Sequence, residues 1–163
     1  MLGAPRKLLA AAACAALLVL PAVASSSTHQ SAVTGAETSL LKQINRVRAA
    51  HGLRTLRYDA TLARAARSHT QAMAAQDVFQ HGAFASRMVA FHVRGPFVGE
   101  NLAWGTGSFG SPHGIVSAWL RSPEHRANLL RPGFRRIGLG EVTTPSFQGV
   151  DGARLVTADF AGY

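Results

Sequence analysis

The single cysteine of this 163-residue chain, Cys14, lies inside an N-terminal apolar run, so everything downstream must be held together without a disulfide, a thiolate metal site or a cysteine nucleophile. A chain of this length without cross-links needs a packed core. Its composition allows one, with 47% hydrophobic and only 15% charged residues, and leaves room for a single domain.

The apolar run itself has the anatomy of a secretory leader. Arg6 and Lys7 precede Leu8 to Leu20, and Pro21 and Ala22-Val23-Ala24 supply a small-residue cleavage site before Ser25-Ser26-Ser27. The stretch is shorter than the roughly 20 residues that span a bilayer. Residues 1–24 are therefore expected to be a signal peptide, leaving a secreted, extracellular protein with no transmembrane anchor after cleavage. Residues 25–36 are polar and uneven and read as a disordered run-in, with the folded domain at 37–163. Seventeen Lys and Arg face eight Asp and Glu over the whole chain, and an excess of +7 remains without Arg6 and Lys7.

Past Glu37, Leu40, Leu41, Ile44 and Val47 recur at helical spacing up to a stop at His51-Gly52. Asp59 is a natural cap for a second helix through Leu62, Ala66, His69 and Met73 to about Gln76. Arg87 to Phe97 is irregular. Val98, Glu100, Leu102 and Trp104 then alternate as in a strand. Ser111-Pro112 and Ser122-Pro123 each place a capping hydroxyl before a proline, the favoured opening of a helix. Arg136 to Val142 and Arg154 to Phe160 read as an antiparallel pair joined by a loop containing proline and glycine. Helices first and strands last indicate an α+β layered fold.

Three residues carry the candidate chemistry. On the expected strand Glu100 shares a face with Val98, Leu102 and Trp104, and a carboxylate in apolar surroundings must take a partner or a proton. His125 stands third after the cap in the helix opened by Ser122, where the helix dipole disfavours imidazolium and keeps the ring neutral. His81 follows the second helix in a loop, Phe79-Gln80-His81-Gly82. Their spacing forms no compact metal-ligand motif. Asn101 is placed to brace the backbone beside Glu100. His69 reads as a core histidine, and Ser122 as a cap rather than a nucleophile, since no G-x-S-x-G elbow exists. The arginines at 121, 126, 131, 135 and 136 have no interleaved aromatics, which argues against nucleic acid; a basic exported protein meets anionic wall polymers or lipid headgroups instead.

Gly99-Glu100-Asn101-Leu102, the run Trp119-Leu120-Arg121-Ser122-Pro123-Glu124-His125-Arg126-Ala127-Asn128-Leu129-Leu130, and Ile137-Gly138-Leu139-Gly140 together resemble the bacterial form of the secreted CAP domain, also called SCP or pathogenesis-related-1-like. The resemblance runs from about Glu37 to Phe160. It implies an α-β-α sandwich with a central antiparallel sheet and a cleft lined by His81, Glu100 and His125. In some members such a cleft holds a divalent metal, so Zn²⁺ or another divalent cation is the cofactor to test. Animal and plant relatives tend to carry a second glutamate where this chain has Ser122.

The resulting expectation is a binding or interaction module rather than an enzyme. Its cleft would engage a small ligand, a lipid or a cell-wall component, and its partners would be a cell-wall polyanion, a lipid or another extracellular protein. The competing readings are a metal-dependent hydrolase using His81, Glu100 and His125, and a purely cationic adhesive surface.

Overall fold

A computed structural model describes residues 33–163; the expected leader and most of the run-in lie outside the described residues. Helices α1 (Gly35–Ala50), α2 (Ala60–Gln76), α3 (Phe84–Ala90), α4 (Pro112–Arg121) and α5 (Pro123–Leu129) surround four strands: β1 (Arg57–Tyr58), β2 (Val98–Gly105), β3 (Phe134–Phe147) and β4 (Val150–Gly162). The sheet order is β1-β3-β4-β2, antiparallel except for the short β1 alongside β3.

Register assigns the two faces. Ile137, Leu139, Val156, Ala158, Phe160 and Ala103 share one face and form the main core with Leu40 and Ile44 of α1, Ile115, Val116 and Trp119 of α4, and Leu129 of α5. The Trp119 indole is buried and donates to the Leu102 carbonyl at 2.8 Å, so the largest core side chain also satisfies its one polar atom. The opposite face is covered by α2 and α3, through Leu62, Ala65, Met73 and Met88. This is the α-β-α sandwich.

Two glycines set how closely α2 approaches. A Cβ on Gly138 would stand 2.0 Å from the Leu62 carbonyl carbon, and one on Gly140 would stand 2.5 Å from backbone atoms of Ala66 and Arg67. Only a residue without a side chain lets the helix rest on the strand here. The same contact brings His69, one helical turn before Met73, over the sheet.

Several elements depart from the sequence expectation. Helix α1 begins at Gly35, two residues before the expected domain boundary, because Thr34 and Glu37 close a capping box. The segment after Gly82, expected to be irregular, contains α3, whose Met88 and Phe84 pack toward Leu62 and Ala65. Ser122 is the N-cap of α5, but its hydroxyl makes no capping hydrogen bond and instead donates to Glu124 Oε2 at 3.2 Å. The final hairpin runs much further than expected. Gln148 (φ 50°) and Gly149 (φ 75°) form a two-residue turn, with both residues at positive φ as the strand twist demands. Pro145 is tolerated inside β3 because β1 pairs only with Arg136 and Ile137, leaving that stretch at an open edge.

Candidate functional site

Glu100 lies on β2 with its side chain on the α2 face, as the alternation predicts, and is buried. His81 Nδ1 is 2.7 Å from its Oε1. The Arg87 guanidinium binds its Oε2, and His69 Nε2 stands 4.0 Å from that same oxygen. The expected costly carboxylate has thus found partners on three elements: the loop after α2, α3 and α2 itself. His81 is mostly exposed, with 56% of its side-chain surface accessible, so the pair runs from the buried sheet to the protein surface.

Beneath this cluster lies Asp159, paired directly across β4 from Glu100 and fully buried. Burial pushes its carboxyl well above the ordinary range; the neighbouring Glu100 charge and a hydrogen bond to Glu100 push it further, while Arg87 opposes. Neither oxygen has a donor among the described residues. Both facts are satisfied when Asp159 is the protonated partner and donates to Glu100.

His125 sits half-buried on α5. Its basicity is lowered, first by burial and then by the neighbouring His81, with Glu124 opposing. Burial is the larger cause, and it favours the neutral ring that the sequence suggests. The Asn101 amide donates to the His125 carbonyl at 2.9 Å, and the Asn128 amide donates to the Glu100 carbonyl at 3.1 Å and to Asn101 Oδ1 at 2.9 Å. Two side-chain amides therefore lock α5 to β2 and fix His125 relative to Glu100.

Sequence reasoning misses three members of the site. His69 is the largely buried, hydrogen-bonded histidine that the sequence suggests, its Nε2 2.9 Å from the Gln80 carbonyl and its basicity lowered by burial, but its place 4.0 Å from Glu100 Oε2 is not foreseen. Arg87 is reached only through the unforeseen α3. Asp159 does leave a trace, a lone acid in the apolar run Val156-Thr157-Ala158-Asp159-Phe160.

The three-ligand metal set His81, Glu100 and His125 is not assembled in this arrangement. Among the described residues no group of three His, Cys, Asp or Glu side chains is placed to hold a metal ion. The physical reason is Arg87: its guanidinium occupies the Glu100 oxygen that a cation would need, while His81 engages the other. The donor set as built does not fit a divalent metal bound through Glu100.

Residues 41–160 match the model of the cysteine-rich secretory protein family, CAP. The chain belongs to the CAP family. It is 34% identical to the Bacillus subtilis protein YkwD over 121 residues, covering 71% of this chain and 46% of YkwD. It is 29% identical to the Bacillus subtilis membrane protein YlbC over 128 residues, covering 76% of this chain and 36% of YlbC. The chain thus spans less than half the length of these curated relatives.

Among solved structures, an extracellular SCP-domain protein of Bacillus anthracis aligns with a TM-score of 0.62 at 25% identity, over 77% of this chain and 40% of that one. An outer surface protein of Borrelia burgdorferi shares the CAP fold with a TM-score of 0.63 at 23% identity, over 76% of this chain and 90% of that one. Among the described residues no helix is long and apolar enough to cross a membrane.

Proposed function

We propose that this CAP domain is an exported binding module whose groove takes an oxygen-rich cell-wall component through the His81 and His125 rings. The observation that carries the reading is the saturation of Glu100. With His81 on one oxygen and Arg87 on the other, the carboxylate is neither a free general base nor an open metal ligand. It serves to orient His81, whose Nδ1 faces inward and whose Nε2 is left for an outside partner. Neutral His125, clamped by Asn101, offers a second ring that donates or accepts a hydrogen bond. The extracellular character of relatives such as the Bacillus anthracis protein supports export, as does the leader-like start of the chain.

The test is titration of the purified protein with soluble cell-wall fragments while the ring signals of His81 and His125 are followed by NMR. Saturable shifts of both rings are expected, with affinity falling at least about fivefold in His81→Ala and His125→Ala, the order of one lost hydrogen bond. Saturable binding that neither substitution weakens would overturn the reading.

A further inference from the structure

A second feature shares no residue with the His81–Glu100–Arg87 cluster. The chain carries no acid from residue 38 to residue 58, which holds Lys42, Arg46, Arg48, Arg54 and Arg57, and none from residue 125 to residue 140, which holds Arg126, Arg131, Arg135 and Arg136. The fold places these two segments side by side: β1 runs parallel to β3 with Arg57 abreast of Arg136. Where they meet, Arg54, Thr55, Arg57, Arg135 and Tyr163 line a concavity of about 450 Å³.

The charge there is not neutralised internally. Among the described residues Arg54, Arg57 and Arg135 have no carboxylate at ion-pair distance, and Asp59, near the neighbouring Arg136, is held by it at 2.8 Å. Beneath the concavity lies Arg48, fully buried, whose guanidinium bonds only backbone carbonyls: Arg54 at 2.9 Å, Leu129 at 2.6 Å, Arg131 at 3.2 Å and Phe134 at 3.3 Å. A buried cation without an acid partner adds to the surface potential instead of cancelling it. Arg57 is steadied over the Tyr163 ring, with its guanidinium carbon 5.5 Å from the ring centroid.

We propose that this concavity binds the phosphate groups of an extracellular phosphodiester polymer. Guanidinium groups from three separate positions can approach a tetrahedral phosphate from different sides, whereas a planar carboxylate is satisfied by one bidentate arginine. A polymer is indicated because the positive charge continues past the concavity to Arg131, which lies 4.3 Å from the Phe97 ring centroid, and to the exposed Arg126.

The experiment measures binding of fluorescent poly(glycerol phosphate) to the purified protein at about 0.15 M salt, near-physiological screening. Inorganic phosphate and polyglutamate of equal chain charge serve as competitors. The variants are Arg54→Gln, Arg57→Gln and Arg135→Gln, with Arg64→Gln and Arg121→Gln as exposed controls that remove the same charge elsewhere. Each concavity variant is expected to weaken binding roughly three- to tenfold and to lower the salt slope by about 0.7, while the controls change affinity less than about twofold. Inorganic phosphate should compete weakly and polyglutamate poorly. The Arg54 side chain makes no hydrogen bond among the described residues, so Arg54→Gln should leave the melting temperature unchanged and separates binding from folding. Absence of binding, equal losses in the controls, or equal competition by polyglutamate would each overturn the proposal.

Discussion

Asp159 and Glu100 are direct partners across β4 and β2, two acids side by side on the buried face under α2. Two carboxylates so placed cannot both be charged at modest cost: His81 and Arg87 sit on Glu100, whereas burial and the Glu100 neighbour push the Asp159 carboxyl well above the ordinary range, which favours its protonated form.

The sign of the resulting pH dependence is fixed. Asp159 holds its proton in the folded state above 3.8, where the unfolded chain has lost it, so the native state binds more protons and stability falls as pH rises from there toward the folded value. Asp159→Asn removes that slope while keeping a donor to Glu100. Its melting temperature relative to the native sequence should therefore climb between pH 4 and pH 8, with about 2–4 °C for each 1 kcal/mol. A difference that stays flat across this range would show that Asp159 is ionised in the fold.

Arg87 and Glu100 should behave as a coupled pair. Their side chains are only 11% and 2% exposed, so removing one partner strands a buried charge. Arg87→Met is expected to cost about 3–5 kcal/mol in denaturant unfolding. Adding Glu100→Gln should recover a large part of that loss, and a simple sum of the two single effects would deny the coupling.

Much of the architecture is legible in the residues because it rests on local rules. Asp59 caps α2 through Thr61 and Leu62, Ser111 caps α4 through Gly114, and the alternation around Glu100 gives its face correctly. The site is less legible because its members come from contacts distant in sequence. Arg87 reaches Glu100 only because Met88, its neighbour, is pulled under α2, and a seven-residue helix carries too little periodicity to announce itself. Ser122 has the residue type of a cap, yet Glu124 two positions on competes for its hydroxyl.

Two glycine substitutions should separate close packing from backbone freedom. Gly138→Ala drives a methyl into the α2 backbone, where no side-chain rotation gives relief, and is expected to cost about 3 kcal/mol or more, the upper range of overpacking. Gly35→Ala meets nothing within 4 Å at the start of α1 and should be neutral or stabilising by up to about 1 kcal/mol. Chemical denaturation of both variants checks the contrast.

Acid should weaken the fold through the histidines. His69 and His125 are both held below 6.5, chiefly by burial, so below that pH the unfolded chain takes up protons that the native state refuses. Stability is expected to fall as pH drops below 6.5, and His125→Gln should remove part of that fall. Melting curves from pH 7 to pH 5 give the comparison; an unchanged slope in the variant would contradict a neutral, buried ring.

The orientation of His81 by Glu100 underlies the whole reading of the groove, and long-range ¹H–¹⁵N NMR of the His81 ring tests it most directly. The expected spectrum shows a proton on Nδ1, retained by hydrogen bonding to Glu100 and lost to the usual tautomer mixture in Glu100→Gln. A bare Nδ1 with the proton on Nε2 in the native protein, unchanged by Glu100→Gln, would contradict it.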